Sequence, residues 1–232
     1  MVYQINRFTA KLAFVVLLAI GMAFVPMAAY SADVDVYAEG AYTDTDLVIY
    51  LYADINAEPI LSFGVKVDYP AGLTLTGATK NEAVWYFGDG TTNEPYMDPE
   101  DDGSGVVIIG GKLDTADPVA GVTGTRVLLG TVEFSHSNVT DFSGVTISYG
   151  RGDGTGDYKN FVGTDGAVKD GAGVGFAIEI RKNGDATGDG YVTSADMFKI
   201  RSDLGGAYTI WSDCNMDGYV TSADMFCVRG KL

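Results

Sequence analysis

The sequence predicts a mainly β protein: an antiparallel β-sandwich followed by a small α module of two loop-helix repeats. Three observations predict it. Residues 33–182 are rich in Val, Ile, Thr, Tyr and Gly, and their apolar runs are bounded by Gly/Asp/Pro turns. No helical pattern separates those runs, so a sandwich is expected rather than alternating strands and helices. Ten residues, DGYVTSADMF, occur twice without change, 28 positions apart, at 189–198 and 217–226, which marks a duplicated unit.

The chain has 232 residues. Residues 1–32 carry Arg7 and Lys11 and no acid, then an apolar run from Leu12 to about Val25, Pro26, and a tail of mostly small residues. This is the pattern of a secretory signal peptide. Cleavage is expected between Ala28 and Ala32, with Ala29/Ser31 as the better small-residue pair. The run is short for a membrane span, and no second one follows. A secreted, extracellular protein is expected, free of the membrane once the leader is removed. Removal leaves 13 cationic side chains against 31 acidic ones, taking the formal charge from −16 to −18. Such a surface repels nucleic acid and anionic lipid.

Strands are expected at Val34–Ala38, Leu47–Asp54, Ile60–Tyr69, Thr74–Thr79, Gly105–Leu113, Thr125–Ser135, Val145–Tyr149 and Gly173–Lys182. Together they are long enough to bury a sizeable core without disulfides. Asp98, Glu100, Asp101 and Asp102 form an acidic loop, and RGDGTGD (151–157) reads as an Asp/Gly turn. Trp85, Tyr86 and Phe87 cannot all face one side of a strand, so at least one is core. Asn138-Val139-Thr140 has the glycosylation acceptor pattern. His136 is the only histidine, and no nucleophile motif or phosphate loop accompanies it. A non-enzyme is expected.

Each repeat has the frame of a calcium loop: oxygen donors at positions 1, 3, 5, 7, 9 and 12, with a sharp glycine turn at 6. The first copy supplies Asp185, Thr187, Asp189, the Tyr191 carbonyl, Thr193 and Asp196. The second supplies Asp213, Asn215, Asp217, the Tyr219 carbonyl, Thr221 and Asp224. Two Ca2+ ions are therefore expected. Thr193, with Asp196 three residues on, is placed to cap a following helix, whose apolar face is expected to be Met197, Phe198 and Ile200. Val192 and Val220 would pair the loops or plug the core. Cys214 and Cys227, the only two cysteines, are either a staple between loop and exit helix or two unrelated thiols.

A calcium loop followed by one helix, duplicated, resembles the type I-like dockerin module of cellulosome-related assemblies. The resemblance rests on the loop spacing, Gly190 and Gly218, the position-8 valines and the duplication, over about residues 183–232. Thr187 departs from the usual Asn or Asp, and Gly230 cuts the second helix short. In residues 33–182, ILSFGVKVDYPAGLTLTGAT and VAGVTGTRVLLGTVEFSHS resemble the cohesin-like family, whose jelly-roll sandwich is shared with several carbohydrate-binding modules.

These resemblances imply a secreted, non-catalytic calcium-binding protein for cohesin-dockerin-type assembly, in an extracellular polysaccharide-binding or polysaccharide-degrading setting. The partner they imply is a cohesin-type domain, a second copy of this chain included. Ser194/Ala195 and Ser222/Ala223 match the family's partner-specificity positions, and the identical pairs would present one surface after a half-turn. Three other readings stay open at this level: a polysaccharide-binding module tethered by a dockerin, a self-assembling scaffold or fibre subunit, and a small glycoside hydrolase.

Overall fold

The computed structural model describes residues 33–86, 99–101, 103, 105–112, 120–150, 161–169 and 174–232. The leader 1–32, Phe87, Asp98, Asp102 and the segment 151–157 lie outside the described residues. The strands are β1 (Val34–Tyr42), β2 (Asp46–Asp68), β3 (Leu73–Lys80), β4 (Glu100–Asp101), β5 (Gly105–Gly111), β6 (Val122–His136), β7 (Thr146–Tyr149), β8 (Phe161–Gly163), β9 (Val168–Lys169) and β10 (Val174–Lys182). Two helices follow, α1 (Ser194–Asp203) and α2 (Ser222–Gly230).

The architecture turns on β2, which is 23 residues long. Its first half lies between β1 and β6. Its second half pairs with β5, β7 and β8. One strand therefore serves two layers, β10-β1-β2-β6-β3 on one side and β4-β5-β2 with β7, β8 and β9 on the other. The two strands expected at Leu47–Asp54 and Ile60–Tyr69 are this single strand. Its ladder with β6 slips between Ile55 and Ile60, around Pro59, which has no N–H to give to a ladder. That stretch reads as a turn in sequence and is a bend in space. The short strands β4, β8 and β9 fall below the length at which a hydrophobic pattern shows.

The expectation of an antiparallel sandwich needs one correction. β1 and β10 run parallel, in register from Val34↔Val174 to Tyr42↔Lys182. A parallel pair needs a long crossover, and here the whole sandwich separates the two strands in sequence. The other pairings are antiparallel.

The core follows the period of two. Leu47, Ile49, Leu51, Ala53 and Ile55 of β2 point inward and are buried, as are Val106, Ile108, Leu129, Val132 and Phe134. Trp85 is fully buried, 4.9 Å edge-on from Phe63, and its indole donates to the Leu128 carbonyl at 3.2 Å. It belongs to the core and forms no part of an exposed aromatic platform, whereas Tyr86 is 44% exposed. Gly110 lets these rings close up, because a Cβ there would stand 2.5 Å from Phe63 Cε1. The sole histidine, His136, is buried and accepts from the Val139 N–H at 3.2 Å.

Outward-facing positions of the same strands build a second feature. Tyr37 and Glu39 on β1 stand opposite Tyr52 and Tyr50 on β2. Tyr37 stacks on Tyr52 at 5.7 Å and Tyr50 on Tyr52 at 6.3 Å. Beside them β6 skips register against β2, and Arg126 takes a positive φ of 55°. A bulge of this kind re-aims a side chain. Here it lays the Arg126 guanidinium 4.2 Å over the Tyr52 ring, in a paired hydrogen bond with Glu39.

Candidate metal loops and docking face

The two loops are built alike. Asp185 is 2% exposed, and Asp196, Asp213 and Asp224 are fully buried. In the first loop Asp185 accepts from the N–H groups of Gly188 (2.8 Å), Asp189 (3.2 Å) and Gly190 (2.9 Å). In the second Asp213 accepts from Asp217 (3.1 Å) and Gly218 (2.8 Å). Gly190 and Gly218 both have φ of 86°, a conformation that glycine adopts without strain. Each loop so wraps its first carboxylate in backbone donors.

The closing aspartates do two jobs. One oxygen of Asp196 takes the Thr187 N–H and hydroxyl, both at 2.9 Å, and the other takes the Thr193 N–H at 2.7 Å. Asp224 repeats this with Asn215 (3.1 Å) and Thr221 (2.7 Å). Thr193 and Thr221 accept in return from the N–H of Asp196 and Asp224, which completes a capping box on each helix, and also from Ala195 and Ala223. The residue that ends the loop thus also starts the helix. Burial pushes the Asp196 carboxyl up, but the hydrogen bonds from Thr187 and Thr193 outweigh it and hold the group below the usual carboxylate range. At Asp213 burial prevails over its hydrogen bonds and raises the group.

Four carboxylates are therefore sunk in the module, and no ion pair among the described residues reaches any of them. Buried charge without a compensating cation is strongly unfavourable. The remaining donors, Thr187, Asp189, Asn215, Asp217, Thr193 and Thr221 with the Tyr191 and Tyr219 carbonyls, are all oxygen. This is the donor set of a hard cation, so the residues fit calcium. Among the described residues no group of three His, Cys, Asp or Glu side chains is gathered closely enough to hold a metal by itself. Asp189 and Asp217 are exposed and bond the N–H of Tyr191 and Tyr219. They would have to turn inward to complete each set.

The helices enclose a small core of Ala186, Ile200, Cys214 and Val228, with Val192, Val220, Met197, Met225 and Cys227 against it. Both position-8 valines plug this core. Cys214 and Cys227 are joined in a disulfide, with Cα atoms 5.9 Å apart. Phe198 corrects an expectation: it is 70% exposed. Met197 and Ile200 share a face at i, i+3, while Phe198 lies about 200° around the helix from Ile200. Phe226 in the second copy is 67% exposed, and Tyr191 and Tyr219 are each 71% exposed. Ser194, Ala195, Ser222 and Ala223 are exposed as well. The duplicated sequence therefore presents a duplicated surface of small residues and aromatic rings.

The segment between the helices, GGAYTIWS, is packed. Ile210 is buried, and the Trp211 indole donates to the Gly40 carbonyl of β1 at 3.0 Å. The Arg181 guanidinium lies 3.7 Å over the Trp211 ring and donates to the Ala186 carbonyl. Tyr208 sits 5.4 Å from Tyr50 on the outward sheet face. At the other end Lys231 donates to Asn183, closing the last helix on the connector. The described residues from 33 to 232 fall in one compact unit. The aromatic and branched residues in GGAYTIWS were the available sign that this stretch does more than connect.

No known protein family and no curated protein matches the sequence. Among solved structures the chain is similar to the seventh ScaB type I cohesin of Pseudobacteroides cellulosolvens, at 11% identity and a TM-score of 0.41, covering 64% of this chain and 91% of that one. It is similar to a non-cellulosomal cohesin of the archaeon Archaeoglobus fulgidus, at 17% identity and a TM-score of 0.38, covering 65% and 91%. It is also similar to a chain of a type I cohesin-dockerin complex (Coh-OlpC-Doc435) of Clostridium thermocellum, at 18% identity and a TM-score of 0.38, covering 66% and 98%.

Proposed function

We propose that this chain is an exported, non-catalytic assembly protein whose C-terminal module binds two calcium ions and docks onto a cohesin-type domain. The observation that carries the reading is the pair of matched loops, each with two buried carboxylates that no ion pair among the described residues reaches. Calcium supplies the missing charge and fixes the loops from which α1 and α2 start. The helices then offer Ser194, Ala195 and Phe198, or their counterparts Ser222, Ala223 and Phe226, to a partner. Identical residues in the two copies support binding in either of two orientations related by a half-turn.

The sandwich takes the opposite role in this reading. Its sequence resembles cohesins, and it has a long strand shared between layers and a closing parallel pair. A dockerin-type module is its fitting partner, so that one chain carries a receptor and a plug. Affinity capture from culture supernatant on the calcium-loaded chain, eluted with chelator, tests both roles. Recovery of a cohesin-bearing or dockerin-bearing protein supports the proposal. Retention of insoluble glycan alone, with nothing released by chelator, overturns it in favour of a polysaccharide-binding module.

A further inference from the structure

The two repeats differ where the second one meets the sandwich. At 28 residues' spacing Tyr208 corresponds to Ile180, and Trp211 to Asn183. Tyr208 reaches both ways. Its hydroxyl donates to Asp213 Oδ2, the first donor of the second loop, at 3.0 Å. Its carbonyl accepts from Arg126 Nη2 at 2.8 Å. Arg126 is fixed in turn by Glu39 and Tyr52 on the sheet, and its own N–H is held by Asp54 at 2.6 Å. Asp185, in the first loop, accepts from residues of its own loop, and Ile180 has no hydroxyl to give it.

Resting on the calcium reading above, we infer that the second loop and the seating of segment 207–212 on the sheet are one coupled unit, joined through Tyr208. A group that bonds a ligating carboxylate orients it and tunes metal affinity, by 10- to 100-fold in other metal sites. Here that group is also pinned by its carbonyl to the sandwich. A cation that orders Asp213 therefore favours the seated position of Tyr208, and the seated Tyr208 favours the cation. Coupling of this kind is reciprocal. Calcium at the second loop then fastens the C-terminal module to this chain's own sandwich. The first loop meets this segment through Arg181 and the Ala186 carbonyl, not through a ligating carboxylate, and the two sites are unequal. The duplicated helix surface stays outward and free for a partner.

The test uses the full chain with Ca2+ as the only ligand. Hydrogen exchange of the two tryptophan indoles reads the junction directly, since Trp211 bonds Gly40 across it and Trp85 bonds Leu128 inside the sandwich. Chelation is expected to speed Trp211 exchange by about tenfold or more and leave Trp85 unchanged. In calorimetric titration Tyr208→Phe is expected to weaken one of two sites by about tenfold and leave the other alone. Arg126→Gln, which touches neither loop, is expected to weaken the same site, with Trp85 protection confirming an intact sandwich. Two bound ions with unchanged Trp211 exchange and unaltered affinities in both variants overturn the inference and leave the calcium reading standing. A wild-type chain that binds no calcium overturns that reading first, and the coupling with it.

Discussion

Replacing Asp196 by Asn isolates what the closing carboxylate does. The two side chains have nearly the same shape, so no cavity forms. The carboxylate takes the Thr187 N–H and hydroxyl on one oxygen and the Thr193 N–H on the other. An amide can present only one oxygen, and its NH2 group then faces a buried donor. The stranded N–H costs about 1–3 kcal/mol. Where the stranded group is the Thr193 N–H, that loss is also the loss of the capping-box bond on α1. A loss of about 1–3 kcal/mol in the C-terminal module follows, even with calcium absent. With calcium present the gap widens, because the variant also lacks a ligand charge. Native-state hydrogen exchange over residues 183–232, with chelator and then with excess calcium, reads both numbers. A change below about 0.5 kcal/mol under chelation would show that the carboxylate does not organise the loop and helix as described.

Other outcomes follow from the same geometry. Gly110→Ala places a Cβ 2.5 Å from Phe63 Cε1 and 2.9 Å from Trp85 Cβ, and is expected to lower sandwich stability by about 1–3 kcal/mol, read by denaturant unfolding. Burial pushes the Asp203 carboxyl up, but hydrogen bonds from Lys199 and Ser212 outweigh it and hold the group below the usual range. Its contribution is present above the unfolded value of about 3.9 and is lost as pH falls through the lower folded one. Asp203→Asn should therefore destabilise by about 1 kcal/mol at pH 7 and be indistinguishable from wild type in acid below both values. Replacing Phe198 and Phe226 together by Ala should change stability by less than about 0.5 kcal/mol, because both rings are exposed. It should abolish partner capture, while either single change leaves capture through the other copy.

The elements carried by a strong period were legible in the sequence. The alternation in Leu47–Ile55 and the apolar run in β5 both form strands, and the duplicated DGYVTSADMF marks both helix starts and their caps. What stayed hidden depended on contacts distant in sequence. The bend in β2 reads as a turn because Asn56-Ala57-Glu58-Pro59 has turn composition, and only its partners β6 and β8 keep it in the sheet. The parallel pairing of β1 with β10 leaves no local mark, since it joins the two ends of the sandwich. Phe198 reads as core from its place beside Met197, but its angle around the helix turns it outward. Tyr208 and Arg126 leave as little local mark in the sequence as the pairing of β1 with β10. Each acts through a partner far away in the chain, and Arg126 reaches Tyr208 only because a bulge turns it outward.

Calcium titration of the intact, leader-free chain by isothermal calorimetry tests the central claim most directly. The account predicts two bound ions per chain and a C-terminal module that gains resistance to proteolysis as they bind. A flat titration at millimolar calcium, with proteolysis of residues 183–232 indifferent to chelator, would contradict it.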